Sequence, residues 1–168
     1  MLPAIWRLLI WGLVSCGPAA PMENARAQDM GQGTPAPVTL SDKHSTGSFP
    51  VDSQTLASAP PILRVSITRV VNPERTPIRV SVYLERVETG RPGLRKIPIG
   101  NFTLYPTDAP AAFVLPSSAA FRELQAESPL TASSEVRLWL ELERIRATKP
   151  WTRVEVTVGP AAWCREEH

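Results

Sequence analysis

The sequence predicts an all-β fold, an antiparallel β-sandwich of about six to seven strands with one short helix, on three observations. Residues 136–143 alternate apolar and polar without a break, so Val136, Leu138, Leu140 and Leu142 share one face of an extended chain while Arg137, Trp139, Glu141 and Glu143 share the other. The same two-residue period returns in residues 63–67, 78–84 and 154–158. Turn residues separate these segments, and no long amphipathic helix stands between them, which favours an antiparallel sandwich over a parallel α/β sheet. A strand with one apolar face needs a second layer to cover it.

In order from Pro61, the first strand carries Leu63, Val65 and Ile67 on one side, and Val70 and Val71 follow a slip in register that a bulge would explain. Asn72, Pro73, Glu74 and Arg75 are turn residues, and Ile78, Val80, Val82 and Leu84 form the apolar face of a second strand, so the pair reads as a hairpin. Residues 88–96 read as a long exposed loop. The next strand, over 97–105, is interrupted: Pro98 removes a ladder donor and Gly100 invites a bulge, which together place it at a sheet edge and move its apolar face from Ile97 and Ile99 to Phe102 and Leu104. Asn101-Phe102-Thr103 matches a glycosylation sequon, read as coincidental here. Residues 112–115 make a short apolar strand stopped by Pro116. Residues 117–125 supply the one helix, with serines for its start and Phe121 and Leu124 for its contact. The strand over 136–145 follows, and a turn at 148–150 leads to the last one, with Val154, Val156 and Val158 on one side.

The front of the chain reads differently. Arg7 precedes the apolar run 8–14, which is shorter than the roughly 20 residues a membrane span requires, so it reads as the core of an export signal. Two processing routes fit. Ala25-Arg26-Ala27 suits ordinary signal peptidase and makes residues 1–27 a signal peptide. Leu13-Val14-Ser15-Cys16 resembles a lipobox and makes residues 1–15 a lipoprotein signal with Cys16 as the lipidation site, the only route to a membrane. Residues 28–60, rich in Gly, Pro, Ser and Thr, read as a disordered linker, and 61–164 as the sandwich. Short edge strands at Val38 and Leu40 or at Phe49 and Val51 are disfavoured. The expected location is periplasmic, anchored at the outer membrane, or secreted.

Net charge is +2 with 20% charged residues, and the arginines alternate with glutamates, as in Arg79 and Glu85 or Arg153 and Glu155, which reads as solvated strand faces. No basic stripe for nucleic acid is present. Catalytic constellations are missing as well: His44 lies in the expected linker, and the only other histidine is His168. No cofactor is implied. Either processing route takes Cys16 out of disulfide chemistry, leaving Cys164 a lone, partly packed thiol; with His168 beside Glu166 and Glu167 it stands as a minor candidate for a metal carrier. Glu141 and Glu143 read as surface ion-pair partners. The more informative side chains are aromatic. Tyr83 and Trp139 occupy the polar side of strong strands, and Trp151 and Trp163 flank the last strand. Side by side on an open face, Tyr83 and Trp139, with Trp151 nearby, would bind a partner protein or a flat ligand such as a sugar. Burial of the rings beneath other chain segments is the competing expectation.

Read in order, residues 80–84, 112–116, 138–142 and 154–158 resemble the strand series of the C-terminal β domain of plant-type polyphenol oxidases and some bacterial tyrosinases, including a Phe-x-Leu-Pro step at Phe113, Leu115 and Pro116. In that family the domain covers the entrance of a copper site. The copper-binding histidines have no counterpart here, so the resemblance implies at most a stand-alone partner or covering domain for such an oxidase. The functional expectation is a non-catalytic, exported binding or accessory module of the bacterial cell envelope.

Overall fold

The computed structural model describes residues 35–87, 95–104, 108–127, 135–145 and 153–164. Among them are nine strands and two helices: β1 (Val38–Ser41), β2 (Thr46–Val51), α1 (Ser53–Ser58), β3 (Ile62–Val71), β4 (Ile78–Val87), β5 (Lys96–Leu104), β6 (Ala111–Pro116), α2 (Ser118–Glu127), β7 (Glu135–Arg144), β8 (Glu155–Val158) and β9 (Ala162–Cys164). They form two antiparallel sheets. One runs β1-β8-β3-β6, with β9 also paired to β3; the other runs β2-β7-β4-β5. This is the all-β sandwich that the two-residue periodicity predicts.

The inward faces are those the alternation marks. Leu63, Val65 and Ile67 of β3, Val80, Val82 and Leu84 of β4, Leu138 and Leu140 of β7, and Val156 and Val158 of β8 are all buried in one apolar core. Removing such side chains from water is the main favourable term in the fold. Phe102 of β5 and Phe113 of β6 stack with centroids 3.9 Å apart and join the two sheets along one margin. Helix α2 turns Ala120, Phe121 and Leu124 toward the core, and Phe121 meets Trp163 of β9 at 5.2 Å.

Both expected irregularities occur. The β3–β8 register shifts between Ile67 and Arg69, where the Thr68 hydroxyl donates to the Thr157 carbonyl. Across β4 and β5 the register shifts opposite Gly100 and Pro98, so Ile97, Ile99, Phe102 and Leu104 are all buried despite the broken alternation. The extra residue reverses the pleat, and the apolar face follows it.

Three expectations are corrected. The segments β3 and β4 are not a hairpin; they lie in opposite sheets. Between them the buried Asn72 side chain donates to the Thr76 carbonyl and accepts from the Thr76 N–H, while Arg75 adopts a left-handed φ of 48° and donates its N–H to the Asn72 carbonyl. The turn chemistry is real, but it carries the chain across to the other layer. Residues 38–58 are not a linker either. Strand β1 pairs with β8 and β2 with β7 along their lengths, and Leu40, Phe49, Val51 and Leu56 are buried. Edge strands this short need few inward side chains because ladder hydrogen bonds satisfy the backbone, and Pro50 is tolerated on the outer strand of its sheet. The sandwich therefore takes in chain well before residue 61. Finally, Cys164 is not a lone thiol: it is 6% exposed on β9 and disulfide-bonded. The only other cysteine in the sequence, Cys16, lies outside the described residues.

Candidate functional site

The outward face of the β2-β7-β4-β5 sheet is built in rows by its register. Tyr83 stands directly opposite Trp139 on one side and Pro98 on the other, and Ser48 of β2 faces Trp139 from beyond. One row along, Glu85 lies between Lys96 and Arg137; one row the other way, Ser81 lies between Asn101 and Glu141. The two aromatic residues of the sequence reading are thus neighbours on one face, as their positions on the polar side of each strand require. Both are half-buried.

One side chain of the same face lies against both rings. The Lys96 ammonium sits 4.0 Å from the centroid of the Trp139 ring and 5.9 Å from that of Tyr83. It also lies 4.0 Å from Glu141 Oε2, at the outer limit of an ion pair. A long aliphatic stem allows the charge to travel from its own row to the neighbouring one. At a partly exposed site such a cation–π contact contributes about 0.5–1 kcal/mol, and an exposed ion pair of this length adds little to it. The lysine is therefore held weakly.

Around this cluster the polar groups are unevenly satisfied. The Ser81 hydroxyl donates to Glu143 Oε1 at 2.8 Å, passing over its direct neighbour Glu141. Arg137 donates through Nε and Nη2 to Glu135 Oε1 at 2.9 and 2.6 Å, although Glu85 is its direct cross-strand neighbour. Glu85, expected on a wet face, is only 4% exposed, and its carboxylate makes no ion pair among the described residues. The indole Nε1 of Trp139 and the Nε of Arg79 are buried without hydrogen-bond partners among the described residues.

The remaining candidates are dispersed. Trp151, Cys16, Glu166, Glu167 and His168 lie outside the described residues. Trp163 packs on Phe121 and belongs to the interior contact of α2. His44 is exposed in the β1–β2 connection, where its N–H donates to Ser41 Oγ. A disulfide sulfur is not the thiolate that binds a soft metal, so the Cys164 side of the metal-carrier expectation falls away in this oxidation state. Among the described residues no three His, Cys, Asp or Glu side chains converge on a position suited to a metal ion. None of their helices is long and apolar enough to cross a membrane.

Sequence reasoning missed Lys96 and Glu85. The place of Lys96 beside the rings depends on how β5 pairs with β4 across the bulge, which no local pattern specifies, while Glu85 shares the Tyr83 face by its two-residue spacing but reads as solvated rather than buried. No protein-family model matches the chain, and no curated protein matches it.

Proposed function

We propose that this chain is a non-catalytic binding module, exported to the cell envelope, that docks a protein partner or another envelope component on the outer face of the β2-β7-β4-β5 sheet. The observation that carries the reading is the direct cross-strand placement of Tyr83 and Trp139 on the solvent side of a packed sandwich. Aromatic side chains bring large contact area at little conformational cost, and they dominate the energetics of protein interfaces. The rigid β4–β7 ladder presents them without reorganisation, which lowers the cost of association. The run 8–14 and the small-residue step at Ala25-Arg26-Ala27 support export.

The test is crosslinking and capture from a native envelope fraction with the wild-type chain beside Trp139→Ala and Tyr83→Ala. A specific partner retained by wild type and lost with either variant, with thermal stability matched, is the expected result. Equal capture by all three would refute the assignment to this face. The resemblance to the polyphenol oxidase β domain gives one partner to include by name: a tyrosinase-like copper oxidase encoded alongside.

A further inference from the structure

The geometry points to the Tyr83–Trp139 cluster, with Glu141 and Glu85, as a site for the primary ammonium of a partner protein's lysine, occupied in the isolated domain by Lys96. This deepens the docking reading above and rests on it. The occupant already present identifies the chemistry: an alkylammonium at 4.0 Å from the Trp139 centroid, 5.9 Å from the Tyr83 centroid and 4.0 Å from the Glu141 carboxylate. Ring faces attract cations through their quadrupole, and the attraction grows as water is displaced.

Two further observations extend this from a local contact to a ligand site. Glu85, more than nine-tenths buried directly opposite Lys96 in the β4–β5 ladder, has no ion-pair partner among the described residues. The neighbouring Arg137 is committed to Glu135. With the Lys96 charge swung aside, the rings are left beside two carboxylates, Glu85 and Glu141, which favours a cation. Those carboxylates also discriminate among cations. They reward N–H donors, which a lysine ammonium has and a quaternary ammonium lacks. Lys96 lies on the outer strand of the sheet with its side chain 32% exposed, so it can leave without disturbing the core. Its hold amounts to less than about a tenfold preference, small enough for a partner's lysine to overcome once other contacts form.

The test uses the full chain carrying Lys96→Ala or Lys96→Met, each checked by circular dichroism and thermal melting, with Nα-acetyl-lysine methylamide as probe. The indole N–H resonance of Trp139, assigned by its disappearance in Trp139→Phe, reports occupancy. The expected result is saturable movement of that resonance in the Lys96 variants, at an affinity about two- to fivefold above wild type and lowered again by Glu141→Gln or Glu85→Gln. Tetramethylammonium and phosphatidylcholine vesicles bind more weakly than the lysine probe on this reading; tighter binding by either overturns the lysine assignment in favour of a choline headgroup. No saturable shift in either folded Lys96 variant overturns the ammonium site altogether. Partner capture that still depends on Trp139 in that case leaves the docking face standing, so the two failures are distinguishable.

Discussion

The Ser117 hydroxyl donates a 2.6 Å hydrogen bond to the Pro60 carbonyl, and the Ser117 N–H donates to the neighbouring Pro61 carbonyl at 2.8 Å. Ser117 is fully buried. Instead of accepting from an N–H of α2, this side chain fastens the entry of β3 to the exit of β6. Ser117→Ala leaves the Pro60 carbonyl without that donor, at a cost of about 1–3 kcal/mol. Urea unfolding should show a lower midpoint with an unchanged slope.

Gly47 is required by the approach of β1 to β2. A Cβ at this position would collide with the Val38 side chain and come within 3.0 Å of Leu40 Cδ2. Gly47→Ala should destabilise the domain by about 1–3 kcal/mol, the usual cost of overpacking. Hydrogen exchange should show the added opening first in the β1 and β2 amides.

Asp52 caps α1: one carboxylate oxygen accepts from the Thr55 N–H at 2.8 Å and the other from the Thr55 hydroxyl at 2.7 Å. These bonds, that to the Thr55 backbone first, hold its carboxyl below the ordinary aspartate value. A lowered folded-state value means that the stabilisation is fully present above the unfolded-state pKa and is lost as pH falls through the lower folded one. Asp52→Ala should cost about 1 kcal/mol at neutral pH. Asp52→Asn should keep most of the cap while flattening the acid limb of the stability profile. Chemical denaturation between neutral pH and the aspartate range checks both.

Cysteine counting tests the N-terminal processing. Cys164 is disulfide-bonded, and the sequence holds two cysteines. A chain that keeps Cys16 should show no reactive thiol in denaturant before reduction and two after it. Cleavage after Ala27 leaves Cys164 as the one cysteine, so its oxidised form bridges to another molecule, seen as a dimer on a non-reducing gel when that is a second copy or as an added mass when it is a small thiol. Lipidation of Cys16 gives the same single thiol with an added acyl mass.

The buried faces of β3, β4, β7 and β8 were legible because a two-residue period reports directly which side meets the core, and the switch at Gly100 was legible because Pro98 and Gly100 mark a bulge by their backbone chemistry. Strand partnership was not. Nothing in residues 72–76 distinguishes a turn that doubles back from one that crosses to the other layer, and that choice separated β3 from β4. The edge strands β1 and β2 read as disfavoured because each carries few apolar residues and takes the rest of its stability from a ladder formed with distant chain. At the candidate site each ring could be placed on the polar side of its own strand from sequence, but their adjacency depends on the β4–β7 pairing and the Lys96 ammonium above them on the β4–β5 register.

Thr39 of β1 and Thr157 of β8 share a hydroxyl hydrogen bond although 118 residues separate them in the chain. The first strand of the sandwich is therefore completed by nearly the last, and β3 waits for β8 and β9 to fill one of its sides. A topology dominated by such distant pairings closes slowly, because the entropy of long loops is lost before the contacts form. The same closure makes truncation ahead of β8 fatal to the whole architecture, because both β1 and β3 would lose the strand that completes them.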